Sequence, residues 1–193
     1  MRQLLASVIC AVAIAVPATA GAWQTIDPYG PASHRDAISE LSFLDGEWVG
    51  EARSTGQDGQ TTVFTQTERV GSMLGGAVKI IEGRGYDADG ATVFNAFAVV
   101  SWDQAAGGYR MHSWAQGRSG TFNLVRTDDG FQWVLPAGPN AVVRYVAVVD
   151  EGRWRQTGDY VAPGMDPVRI FEMDLRRIGD TDWPAGGAVD PGR

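Results

Sequence analysis

The stretch Val143-Arg144-Tyr145-Val146-Ala147-Val148-Val149-Asp150-Glu151-Gly152-Arg153-Trp154-Arg155-Gln156-Thr157-Gly158-Asp159-Tyr160 decides the fold. β-branched and aromatic residues run up to Glu151-Gly152 and away from it, and that pair suits the tight turn of a two-residue hairpin. With the turn there, Asp150 lies opposite Arg153 and Arg144 opposite Asp159, on a face shared with Arg155 and Thr157. This charged face is the outer one. The other carries Val143, Tyr145, Ala147 and Val149 against Trp154, Gln156, Gly158 and Tyr160, the mostly apolar lining of an interior with a few hydrogen-bonding groups.

The same alternation spreads outward from this hairpin. Phe171, Met173 and Leu175 alternate with Glu172, Asp174 and Arg176, so a last strand shares the logic. Upstream, Phe94, Ala96, Ala98, Val100 and Trp102 form one phase with Tyr109, Met111 and Ser113, and this phase is placed inside. Its complement, Asn95, Phe97, Val99 and Ser101 with Arg110, His112 and Trp114, is more polar without being plainly an outer surface. Strands are predicted at about 46–54, 60–71, 74–85, 92–102, 108–115, 119–126, 131–135, 141–149, 153–161 and 168–178. Their separators are turn formers such as Asp58-Gly59, Asp89-Gly90, Gly107-Gly108, Asp128-Asp129-Gly130 and Pro163-Gly164. No second helical pattern exists to supply parallel crossovers, so the fold class is all-β and antiparallel. Uniform short turns favour a roughly ten-stranded up-and-down β-barrel, which hides its edges by closure.

Before the first strand, Ser33 is predicted to cap a short helix with an apolar stripe of Ala37, Ile38, Leu41 and Leu44, ended by Asp45-Gly46. A lid on one barrel end fits this element. Ahead of it, Arg2, the 13-residue apolar run Leu4–Val16 and Pro17-Ala18-Thr19-Ala20 read as a secretory signal peptide, too short for a spanning helix. The domain organisation is therefore a signal peptide at 1–20, a flexible leader at 21–32, one barrel domain at 33–178 and a flexible tail at 179–193. Localisation follows as periplasmic or secreted. The lone cysteine, Cys10, falls in the signal segment, and Ile9 before it argues against a lipid anchor. Cleavage removes it and with it disulfides, thiolate nucleophiles and cysteine metal sites. Loss of Arg2 shifts the formal charge from −7 to −8, which disfavours nucleic acid and anionic membranes as partners. No later segment suits membrane insertion.

Catalytic signals are sparse. His34 falls in the first helical turn, where a solvated side chain is the ordinary reading. His112 would serve as general base or axial ligand only if its phase faced inward. Two distant histidines make no metal set, and Asp87 and Asp89 with Gly90 read as a β-turn because no glutamate closes a calcium loop. Glu68, Glu82 and Arg84 fall in strands two and three; an inward carboxylate there would orient a polar head group, and a surface pair is the plainer alternative. No helix follows Gly71, Gly75 and Gly76, so they form no phosphate loop, and no Gly-x-Ser-x-Gly elbow exists.

Leu44-Asp45-Gly46-Glu47-Trp48-Val49-Gly50 resembles the Gly-x-Trp first-strand signature of the calycin superfamily. Met73-Leu74-Gly75-Gly76, the hairpin from Ser101-Trp102-Asp103 to Gly108-Tyr109, and Trp114 with Ser119-Gly120 are similar to stretches of a bacterial family of uncharacterised lipocalin-like β-barrels. The similarity spans about Leu41 to Ile178. It implies a barrel with a lid helix that holds at most a small apolar ligand. Related nitrobindin-type barrels bind haem through a histidine near the C-terminal end. This chain has no histidine after His112, so haem is disfavoured and no cofactor is predicted.

The leading expectation is a binding module for a small apolar or amphipathic molecule, its lumen lined by Trp48, Trp102, Met111, Trp133, Tyr145, Trp154 and Phe171. One alternative is an enzyme using His112 with Glu82 in the lumen. Another is a solid barrel acting as an interaction subunit, its tryptophans filling the middle.

Overall fold

The structure, a computed structural model, describes Asp27 and residues 30–183. The signal segment, most of the leader and residues 184–193 of the tail lie outside the described residues. A short helix, α1 (Ala32–Ser39), leads through a 3₁₀ turn at Ser42–Leu44 into β1 (Gly46–Thr55). There follow β2 (Thr61–Met73), β3 (Val78–Tyr86), β4 (Thr92–Asp103), β5 (Gly108–Ala115), β6 (Arg118–Arg126), β7 (Gly130–Pro136), β8 (Val142–Asp150), β9 (Arg153–Val161) and β10 (Val168–Gly179). Each strand pairs antiparallel with its sequence neighbours, and β1 also pairs with β10, so the ten strands close into a barrel. No helix among the described residues is long and apolar enough to cross a membrane.

The predicted register of the diagnostic hairpin is the observed one: Asp150 pairs with Arg153, Arg144 with Asp159, and Glu151 takes a φ of +47° in the turn. Tyr145, Ala147, Trp154 and Gln156 face inward, and the outer face is laced with ion pairs such as Arg155 to Asp150 at 2.7 Å. In β4 and β5 the phase holding Val100 and Met111 is the inner one, both residues being buried. Its complement forms the outer wall, where Phe97 and Trp114 stay exposed.

Two local expectations are corrected. β3 begins at Val78, not near 74, because Leu74, Gly75 and Gly76 all take positive φ (54°, 63° and 93°) and curl into a 3₁₀ turn. In α1, Ser33 is not the N-cap. Pro31 occupies that position without a side-chain cap, its fixed φ of −57° leading into the first turn, so the cap lies two residues earlier.

Ile38, Leu41 and Leu44 are fully buried where α1 and the turn after it seal one end of the barrel. Three polar ties hold this seal. The Tyr109 hydroxyl donates to the Ala37 carbonyl at 2.7 Å, and the Trp48 indole N–H donates to the Leu44 carbonyl at 2.9 Å. The buried Lys79 ammonium donates to the Asp45 carboxylate at 2.6 Å and to Ser72 Oγ at 2.8 Å. The start of the segment expected to be loose also docks: Asp182 meets Arg69 at 3.3 Å, and Trp183 lies against Gly71 and 6.4 Å from the Phe97 ring.

β1 and β10 approach most closely at Gly50, where an added Cβ would sit 2.0 Å from the Asp174 carbonyl oxygen. Gly50→Ala is therefore expected to lose about 2–3 kcal/mol in chemical denaturation, by forcing the closing pair apart. Gly108→Ala, with nothing within 4 Å of its Cβ position, serves as the near-neutral control. Asp45→Ala strands the Lys79 charge inside the sealed end and is expected to cost about 3 kcal/mol in the same measurement.

Candidate functional site

The barrel has two unlike halves. Towards α1 the lumen is filled: Trp48, Trp154, Phe131, Met111 and Leu175 are all buried. Towards the other end, where the connections 56–60, 87–91, 116–117, 137–141 and 162–167 lie, inward side chains keep accessible surface. Phe64, Phe122, Trp133, Tyr145 and Phe171 all face inward yet are only half-buried. These inward rings are less completely covered than those of the sealed half.

The rings form a continuous ladder down one side of the lumen. Trp48 meets Trp154 edge-on at 5.8 Å, Trp154 meets Phe131 at 5.7 Å, and Phe131 stacks on Trp133 at 5.7 Å. Trp133 in turn stacks on Tyr145 at 4.6 Å, and Tyr145 meets Phe171 at 6.0 Å. Of the seven residues expected to line a ligand site, Trp133, Tyr145 and Phe171 border the open half. Trp48, Trp154 and Met111 instead fill the sealed half, and Trp102 stands at that end, 5.0 Å from Tyr109. The seven thus differ in depth along the axis, because period two reports which face a residue occupies but not its height in the barrel.

Inward glycines keep the open half from filling. At Gly158 an added Cβ would collide with the Tyr145 ring at 2.7 Å, and at Gly85 with the Phe64 ring at 2.7 Å. Each glycine lets the neighbouring strand's ring lie flat along the wall instead of projecting to the centre.

A polar pair interrupts this apolar lining. Glu68 on β2 sits beside Trp48 and Gly83 in the register, and its carboxylate lies over Gly83, 2.7 Å from where a Cβ would be. Gln66, two residues before it and only 2% exposed, donates from Nε2 to Glu68 Oε1 at 2.7 Å. Gln66 Oε1 is buried with no partner, as is Trp154 Nε1. Burial pushes the Glu68 carboxyl up from 4.5 to about 8, against a smaller downward pull from the Gln66 hydrogen bond, and the Glu82 charge adds to the rise. Burial alone pushes the Tyr145 phenol up. Of Glu68, Glu82 and Arg84, the structure turns Glu68 inward, and it adds Gln66, Phe64, Phe122 and Phe131, inward residues that the sequence does not single out. The β2 alternation of Phe64, Gln66, Glu68 and Val70 was the signal, obscured by threonines on the other phase.

The luminal His112 and Glu82 pairing does not form. His112 is exposed on the outer wall, stacked on Trp114 at 4.2 Å and 3.3 Å from Thr121 Oγ1. Glu82, on the outer phase of β3, pairs with Arg84. His34 lies in α1, and no inward position of the ten strands holds a histidine to ligate haem iron. Among the described residues no group of three or more His, Cys, Asp or Glu is placed to hold a metal. Two shallow hollows lie elsewhere on the barrel. One of about 360 Å³ flanks the Gln116-Gly117 turn beside Phe97 and Trp114. One of about 230 Å³ crosses β1, β10 and β9, among side chains such as Arg53 and Arg155 whose charges are already paired.

The raised Glu68 carboxyl sets a pH dependence. Below about pH 4.5 it is protonated in both states; from there to about 8 only the unfolded chain ionises, so the folded state binds the extra proton. Stability is thus expected to fall as pH rises through that window, by on the order of a few kcal/mol, and to level off above it. Glu68→Gln should remove this component, read as the pH-dependent difference between the two proteins in urea denaturation.

Neither a protein-family model nor a curated protein matches the chain. Among solved structures, the crystal structure of Rv2717c from M. tuberculosis matches with a TM-score of 0.57, covering 74% of this chain and 97% of that one at 12% identity. At that identity the likeness is one of fold: both chains share the antiparallel barrel.

Proposed function

We propose that the chain is an exported, lipocalin-like binding module of the calycin type, which holds a small apolar or amphipathic molecule in the open half of its lumen. The observation that carries this reading is the half-buried state of Trp133, Tyr145 and Phe171, rings aimed inward with surface left uncovered. Covering apolar surface stabilises a complex by about 25 cal/mol per Å², so such rings favour a guest that completes their packing. The ladder behind them is fixed by stacking and by the sealed half, so little ordering is left to oppose binding. Export rests on the leader pattern of 1–20, and the calycin likeness on the Gly46-Glu47-Trp48 stretch, whose tryptophan joins the lid to the first strand. With His112 and Glu82 on the outer wall, the binding reading stands ahead of the enzymatic one.

Titration of the purified protein with a panel of apolar and aromatic probes is expected to quench tryptophan fluorescence to saturation, and Trp133→Phe to remove most of the change. Tyr145→Ala and Phe171→Ala are each expected to weaken binding about tenfold, the loss of one aromatic contact of roughly 1–1.5 kcal/mol. No saturable quenching across the panel would refute the reading.

A further inference from the structure

We propose that the guest carries a protonated amine, seated against the Glu68 carboxyl and Gln66 Oε1, with its apolar body on the Trp133 and Tyr145 side of the lumen. This rests on the luminal reading above and names the chemistry of its head group.

Three facts of the site point to a cationic donor. First, the pair leaves an acceptor unsatisfied. Gln66 Nε2 is already spent on Glu68 Oε1 at 2.7 Å and on the Thr67 carbonyl at 3.4 Å, leaving Gln66 Oε1 buried and unpartnered. Second, Glu68 has no cation of its own. On β3, Lys79 is engaged by Asp45 and Ser72, and Glu82 with Arg84 belongs to the outer wall. β1 presents Trp48, Gly50 and Ala52 to the interior, none of them titratable; the phenols on inward positions are Tyr109 at the sealed end, Tyr145 and Tyr160, and the inward-phase arginines stand at the rims, Arg118 at the open one and Arg126 and Arg177 at the sealed one, where they donate to the Glu40 and Asp45 carbonyls. Third, β7, which carries the inward Trp133, stands opposite β2 in the ten-strand ring, and ring faces attract ammonium groups. An ammonium group supplies three N–H donors, and its positive charge favours the ionised form of the Glu68 carboxyl.

Because burial keeps the Glu68 carboxyl protonated up to about pH 8, seating an ammonium at neutral pH breaks its O–H bond and sends that proton to the buffer. The ligand keeps its own proton, and no covalent bond forms.

Phenethylamine, phenethyl alcohol and hydrocinnamic acid share a body and differ in the head, so calorimetry on the three at about pH 7 separates head from lumen. The amine is expected to bind about tenfold or more tighter than the other two. Runs in two buffers of unlike ionisation heat are expected to show release of about one proton per amine bound. Glu68→Gln is expected to bring the amine down to the affinity of the alcohol and to abolish the release. If that variant does not fold, proton release by the unmodified protein still decides. Saturation by the alcohol or acid with no advantage for the amine, or amine binding without proton release, overturns the head-group proposal and leaves the luminal reading standing. Binding by none of the three overturns both.

Discussion

Everything in this molecule depends on β1 finding β10. Nine of the ten strand pairs join neighbours in sequence, and a hairpin forms each of them locally; the tenth joins residues near 50 to residues near 175. Without it the chain would be an open, strongly twisted sheet with two unpaired edges and an apolar face exposed to water. The residues around this seam serve it directly. Gly50 has no side chain because the Asp174 carbonyl lies where a Cβ would go, and Arg177 reaches back to donate to the Asp45 carbonyl at 3.1 Å. Trp48, on the same strand, ties the seam to the lid through the Leu44 carbonyl. One short segment thus closes the ring and seals one of its ends.

Closure alone would leave ten strands around a space too wide for ordinary side chains to fill. The two halves resolve this in opposite ways. The sealed half combines the largest side chains, Trp48, Trp154 and Phe131, with the apolar stripe of the helix. In the open half small residues alternate with large ones, and the large ones lie down on glycines. Tyr145 over Gly158 and Phe64 over Gly85 are sideways placements that thicken the wall while sparing the centre. The sealed half supplies the stability that lets the other half stay incompletely packed.

The sequence made the face of each side chain legible wherever apolar and polar residues alternated strictly, as in 143–160 and 171–176, and the observed register agrees there. Where the alternation was blurred, the reading faltered for a physical reason. Phe97 and Trp114 look like core residues by type, yet they cluster on the outer wall, with Trp183 beside Phe97. The start of β3 was misplaced because Leu74 adopts a left-handed backbone that its residue type does not advertise. Lys79 is the plainest case. A lysine in a strand reads as surface, and only the distant Asp45 and Ser72, 34 and 7 residues away, make an inward position tolerable. The candidate site was half legible: its aromatic members carried a composition signal, whereas the shared face of Gln66 and Glu68, two residues apart on β2, was obscured by the threonines of the other phase.

Lys79 and Glu68 show two ways in which this barrel holds a charged residue type on its inner face. Both are charged residue types on the inner face of adjacent strands, so both incur a desolvation cost. For Lys79 the protein supplies a carboxylate and a hydroxyl within 2.8 Å, and the group becomes part of the seal. For Glu68 it supplies one amide, whose own oxygen is then left without a partner, and the carboxyl responds by holding its proton to about pH 8. Two solutions to one problem, one complete and one incomplete, stand along the same pair of strands. The incomplete one lies between Trp48 and Gly83 on the neighbouring strands, and the fold itself leaves its cost in place.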